Sequence, residues 1–226
     1  MKQVFIPTQN FQNANTIVAD LLSASYGVDL AVFTGRAGRG KTTTAERIFT
    51  TNPNTVYVLY EEGWNYLALL REITFKLCGT RPSRRQQCAE MVERELSARR
   101  RVILVDEADR ANMHVLNGLR NIHDKCGAPI VLIGEEALTA KLSRERRLIS
   151  RVRAQLSFTA VTQADVVLFF RKTIEQDLTP AHTARVLKYS GGDFRRVLTA
   201  AIAAEKIMAT SGLTAITDAV IDKVVG

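Results

Sequence analysis

The sequence predicts an α/β fold, with a parallel sheet of five strands flanked by helices over residues 1–160 and a small all-helical subdomain over 161–226. Two observations carry that expectation. Between residues 30 and 158, short apolar runs without polar alternation recur between segments of helical periodicity. Strands buried on both faces beneath crossover helices read in this way. After Phe158 the runs stop and apolar residues continue only at spacings of three and four, so strands give way to helices near 158–162.

An opening helix is expected over 13–25. The first strand is LAVFT at 30–34, followed by a helix over 41–50. TVYVLY at 55–60 is the second strand, and helices over 64–77 and 83–98 separate it from the third, RVILVD at 101–106. A helix over 112–125 leads to the fourth strand, APIVLIG at 128–134. One further helix, over about 136–149, precedes the last strand, AQLSF at 154–158. Trp64 reads as core packing, not as a stacking platform for bases. The second module should hold helices at 162–176, 180–190, 193–210 and 214–225. Thr179 is placed to cap the second of these, with Pro180 at its first helical position. Gly191-Gly192 ends that helix and Asp193 caps the next.

Composition narrows the class. Of 226 residues, 46% are hydrophobic and 24% charged, enough apolar side chain for a folded core and too much for a disordered chain. No apolar run approaches the roughly 18 residues of a membrane span, and the first residues, MKQVFIPTQNFQN, hold no apolar secretory core. Three cysteines, Cys78, Cys88 and Cys126, lack metal-ligand spacing and are odd in number, as expected for free thiols in a reducing cytoplasm. The net charge of +8 is concentrated. Residues 76–101 hold eight basic and three acidic side chains, and residues 141–153 hold six and one. Clustered excess of this kind points to a polyanionic partner or to an arginine-rich subunit interface.

The first strand runs into Gly35-Arg36-Ala37-Gly38-Arg39-Gly40-Lys41-Thr42, which fits G-x-x-x-x-G-K-[ST]. In such a loop the backbone wraps so that successive N–H groups converge on phosphate oxygens, and the following helix adds its positive end. Lys41 is expected on the β and γ phosphates of ATP and the Thr42 hydroxyl on Mg²⁺, with Thr43 completing the nucleotide-binding set. The third strand ends in Asp106-Glu107, at the carboxyl edge where parallel sheets bind ligands. Asp106 is placed to hold Mg²⁺ and Glu107 to take the proton of the attacking water, so hydrolysis is expected as well as binding. The string Asp106-Glu107-Ala108-Asp109 spells a helicase box by coincidence, since nothing else of a helicase accompanies it.

Two arginines extend this set. Arg151, just before the last strand, is placed to reach the γ phosphate of a neighbouring subunit and stabilise the transition state there. Arg195, opening a helix of the second module, is placed to sense phosphate, with Arg196 as the fallback. A third group, Arg81, Arg84 and Arg85, lies in a proline-containing turn that leads into a helix. Arginines there suit the phosphates of DNA, positioning it without reading bases.

Together these motifs resemble an AAA+ ATPase, with Walker A at 35–42, Walker B at 102–107, an arginine finger at Arg151 and GDFR at 192–195 opening a lid helix. Within that superfamily, LRNIHDKCGAPIVLIGEEAL from Leu119, the arginine-rich helix, the SRV at 150–152 and the final strand resemble the transposition regulators of the phage Mu B and TnsC type. The resemblance implies an ATP-dependent, largely non-sequence-specific binder of duplex DNA that assembles as a helical homo-oligomer, chooses target sites and stimulates a transposase, in the cytoplasm and away from membranes. It also implies that the insert between the second strand and Walker B faces DNA. The chain departs from that pattern in two places. Only 34 residues precede Walker A, where the Mu type carries a helix-turn-helix domain, absent here or trimmed. The fourth strand ends in Gly134-Glu135-Glu136, without the Asn or Thr of a sensor 1. Two other readings share the motifs: a helicase loader or replication initiator, and a secretion ATPase of the ExeA type that does not act on DNA.

Overall fold

The five apolar runs form a single parallel sheet in the computed structural model, which describes residues 2, 4–24 and 29–226. The strands are β1 (Leu30–Thr34), β2 (Thr55–Leu59), β3 (Val102–Asp106), β4 (Ile130–Gly134) and β5 (Val152–Ser157), in the order β2-β3-β4-β1-β5. Since every strand runs the same way, β1 and β3 both end at one carboxyl edge, and the loops that follow them open there. The chain divides into two units, one of residues 11–36 and 41–158, the other of the segment ending at Asn10, residues 37–40 and residues 159–226.

In the first unit the period-two geometry of the strands sorts side chains onto two faces. Ala31, Phe33, Val102, Leu104, Val131 and Ile133 pack with α1 (Gln9–Ser23) and α2 (Lys41–Thr51). Leu30, Val32, Ile103, Val105, Ile130 and Leu132 pack with α3 (Tyr66–Cys78), α4 (Arg85–Ala98) and α5 (Met113–Cys126). Leu104 is fully buried, and its replacement by alanine should cost about 2–5 kcal/mol. Trp64 packs against this core and meets Tyr60 edge to face, as expected for a packing residue. The opening helix begins earlier than its sequence pattern indicates, and Ser25 lies outside the described residues.

Two expectations for this unit need correction. The helix expected over 136–149 is two, α6 (Ala137–Ser143) and α7 (Arg146–Ile149), broken at Glu145 in an extended conformation. Leu138 and Leu142 are four apart and buried. An unbroken helix would next turn Glu145 and Arg146 inward, whereas the break brings Leu148 into the core instead. The last strand is not apolar on both faces. It starts at Val152, and its residues alternate between half-buried and exposed, because β5 is an edge strand whose V-R-A-Q-L-S pattern has period two.

The second unit is helical: α8 (Gln163–Ile174), α9 (Pro180–Ser190), α10 (Phe194–Ser211) and α11 (Asp218–Val225). Its core joins Val166, Phe169 and Phe170 of α8 to Val186, Val197, Ala201, Ala204 and Ile221, and Ile6 of the N-terminal segment inserts among them. Thr162 and Asp165 form a capping box on α8. Thr179 caps α9 with Pro180 in its first turn, Gly191 closes α9 in the left-handed region, and Asp193 caps α10. The last helix begins at Asp218, later than the sequence spacing indicates. No described helix is long and apolar enough to cross a membrane.

Candidate nucleotide-binding site

The loop after β1 is buried at Gly35 and open at Arg36 and Ala37. Lys41, the first residue of α2, turns its side chain back over the loop, and Nζ donates to the carbonyls of Gly35 at 2.6 Å and Arg36 at 3.2 Å. An ammonium held by carbonyl oxygens at a helix N-terminus is a ready site for a phosphate, a stronger acceptor than either carbonyl. Thr42 is half-buried in the first turn of α2 and Thr43 is exposed beside it.

Asp106 ends β3 and is 1% exposed. Its Oδ1 accepts from the Glu107 N–H at 2.9 Å and its Oδ2 from the Tyr57 hydroxyl at 3.1 Å. It has no ion-pair partner among the described residues. A carboxylate buried without a cation is costly, and a divalent ion is the natural complement. With the Thr42 hydroxyl, the donor set is all oxygen, the chemistry that Mg²⁺ prefers. The residues present therefore fit Mg²⁺ with ATP. Burial and the adjoining Asp106 charge push the Tyr57 phenol far above its ordinary ionisation range, so it remains a hydrogen-bond donor. Tyr57 sits on β2 one strand over, and nothing in the apolar run TVYVLY marks it as polar.

Glu107 has a left-handed backbone, φ 57° and ψ 30°, which costs a residue with a side chain about 1–2 kcal/mol. Such strain is held in place by its surroundings. Here Asp106 caps the Glu107 N–H, and Arg110 Nε binds Glu107 Oε2 at 2.9 Å. Asp109 has a structural task, with Oδ1 accepting from the Glu135 N–H at 3.1 Å. A Cβ on Gly134 would lie 2.3 Å from that same oxygen, so β4 ends where no sensor side chain could stand.

The arginines separate into engaged and open. Arg151 is half-buried in a two-pronged pair with Asp124, Nε to Oδ1 at 2.6 Å and Nη2 to Oδ2 at 3.0 Å, and Nη1 donates to the Arg147 carbonyl. Arg81 pairs with Glu72 at 2.6 Å and lies 3.7 Å over the Phe75 ring, while Arg85 lies 4.9 Å over Tyr66. Arg84 is exposed at the N-cap of α4, and its side chain makes no hydrogen bond or ion pair among the described residues. Part of the basic excess of 76–101 is structural. Arg99 bonds Asn54, and Arg100 bonds the buried Asp29 and the carbonyls of Leu21 and Gly127. In the helical unit, Arg196 stacks on Tyr189 and Arg195 is exposed, its N–H donating to Asp193. The three cysteines are free thiols, and burial pushes Cys78 and Cys126 upward.

The AAA domain family model matches residues 26–142. The chain is 26% identical over 170 residues to the ATP-dependent target DNA activator B of Escherichia phage D108 and of Escherichia phage Mu, covering 72% of this chain and 54% of each relative. It thus spans about half the length of these curated relatives. Among solved structures, CDC6P from Pyrobaculum aerophilum is similar at a TM-score of 0.72 and 17% identity, over 99% of this chain and 67% of that one.

Proposed function

The chain belongs to the AAA domain family, and from that premise we propose that it is an ATP-hydrolysing, DNA-binding regulator of transposition. The observation that carries the chemistry is a glycine-rich loop and a buried Asp106, without an ion-pair partner among the described residues, at the carboxyl ends of parallel strands. What supports the DNA and transposition reading is the similarity to the two target DNA activator B proteins.

In this reading the N–H groups of residues 35–42 and the Lys41 ammonium bind the triphosphate of ATP. Thr42 and Asp106, the latter through water, would hold Mg²⁺, which when bound neutralises charge on the β and γ phosphates. Glu107 leaves Arg110 to accept a proton from water as the water oxygen bonds to the γ phosphorus. The bond from that phosphorus to the β–γ bridging oxygen breaks, and ADP and phosphate depart. Arg151 of an adjacent copy leaves Asp124 to neutralise the transferring phosphoryl group. Arg195, at the start of α10, senses phosphate. Arg84, with Arg81 and Arg85 beside it, contacts DNA phosphates. Three cations at the positive end of α4 oppose its dipole, and a polyanion relieves that opposition. ATP-bound copies coat duplex DNA as a helical oligomer and present it to a transposase, and hydrolysis releases them.

The test is turnover and DNA binding measured together. ATP hydrolysis should vanish in Lys41→Ala and Glu107→Gln, and Glu107→Gln should trap DNA-bound assemblies. Normal turnover in Glu107→Gln would remove that residue from the base role. Stimulation of a transposase separates this reading from a helicase loader.

A further inference from the structure

The tip of the phosphate loop, residues 37–40, belongs to the helical unit, and three contacts hold it there. The Phe194 N–H, at the start of α10, donates to the Gly38 carbonyl at 2.9 Å. Gly38 has φ +77°, and a Cβ on it would lie 2.1 Å from Asp193 Oδ1, so the carboxylate that caps α10 fills the space a side chain would take. The Arg39 guanidinium donates to the Gly192 carbonyl through Nη1 and to the Gly191 carbonyl through Nη2 at 3.3 Å. Those oxygens lie just past the C-terminal end of α9, where orphan carbonyls and the negative end of the helix dipole favour a cation. Gly192 is itself at φ +75°, and a Cβ there would meet Arg39 Nη1 at 2.3 Å. Each partner thus carries a glycine where the other presses.

The Arg39 side chain faces the hinge between α9 and α10, while the N–H groups of residues 37–40 belong to the stretch that would cradle phosphate. One short segment serves both. We propose that Arg39 is a positioning residue that ties the phosphate-binding amides of the loop tip to the Gly191–Asp193 hinge, so that filling the loop orders the hinge. The second half of this inference rests on the ATP reading of the loop, and the first half does not. Arg36, exposed in the same loop, makes no contact of this kind among the described residues.

Amide hydrogen exchange on the full chain tests both halves, comparing wild type, Arg39→Ala and Arg39→Lys, without nucleotide and with saturating Mg²⁺ and ADP. Without nucleotide, the Phe194 amide should exchange about tenfold faster in Arg39→Ala, the factor that one hydrogen bond to a charged group supports. Arg39→Lys should recover most of that loss. Unchanged amides in α5 show that the alanine variant is folded. With ADP, wild type should slow at residues 38–41 and at 191–196 together, while Arg39→Ala slows at 38–41 alone. Turnover should separate in the same way, with kcat falling and the KM for ATP changing little. Wild-type exchange at Phe194 in nucleotide-free Arg39→Ala would overturn the tie. Equal slowing of 191–196 by ADP in both proteins would overturn the coupling. No slowing of 38–41 in wild type would overturn the ATP reading, and the coupling with it, leaving the tie to be decided by the nucleotide-free comparison.

Discussion

Glu107 is the residue at which backbone and chemistry make opposite demands, and two substitutions separate them. Its φ of 57° and ψ of 30° lie in the left-handed region, where glycine is at ease and alanine pays about 1–2 kcal/mol. Elsewhere the order is reversed, since glycine is normally less stable than alanine by about 0.5–1 kcal/mol. Both Glu107→Gly and Glu107→Ala lose the bond to Arg110, whose exposed pairing contributes about 0.2–1 kcal/mol and cancels between them. The glycine variant should therefore be the more stable, by about 0.75 kcal/mol at the middle of a range of about 0–1.5 kcal/mol. That difference is about 1–4 °C in Tm for a chain of this size. Thermal unfolding by far-UV circular dichroism reads the difference, and ATP turnover of the same samples reads the chemistry. Both variants should lose about 10²–10⁴-fold in turnover, the range of a positioned general base. If the alanine variant is the more stable, the strain is not there. If either variant hydrolyses ATP like wild type, the proton goes elsewhere.

Tyr57→Phe removes the hydroxyl that holds Asp106 Oδ2, 3.1 Å away. The Mg²⁺ concentration for half-maximal turnover should rise about 10–100-fold, as loss of one hydrogen bond to a charged group implies, and an unchanged Mg²⁺ titration would dismiss Tyr57 as a positioning group. Arg151→Ala should abolish hydrolysis and spare ATP binding, whereas Asp124→Asn, which frees Arg151 from its pair, should keep or raise turnover. Equal losses in the two variants would make the pair structural and place the finger among Arg144, Arg146 and Arg147. Native protein at pH 7.5 should react slowly with iodoacetamide, because Cys88 is fully buried and burial raises Cys78 and Cys126. Rapid labelling of any of the three would contradict that packing.

The loop after β1 and the place of Asp106 were legible because each pattern is local, eight consecutive residues in one case and a strand end in the other. The five strands were legible for a similar reason, since apolar runs mark burial on both faces wherever they occur. What stayed hidden depends on residues far apart in sequence. Tyr57 reads as one more apolar strand residue until β2 pairs with β3 and sets its hydroxyl on Asp106. Arg81 and Arg151 read as free cations, yet a turn folds the first onto Glu72 and Phe75, and Asp124, on another helix, captures the second. The period-two pattern of β5 was present in V-R-A-Q-L-S, but a strand begun at residue 154 leaves out its first two members. The break at Glu145 follows from the six-residue gap between Leu142 and Leu148, a spacing that no continuous helix places on one face.

If nucleotide commands DNA binding, electron microscopy of the protein on duplex DNA, with ATP or with ADP and at rising salt, shows it most directly. Helical filaments centred on DNA should form with ATP, fail to form with ADP, and weaken steeply as salt displaces the phosphate contacts. Equal coating of DNA with ATP, with ADP and without nucleotide would contradict the account.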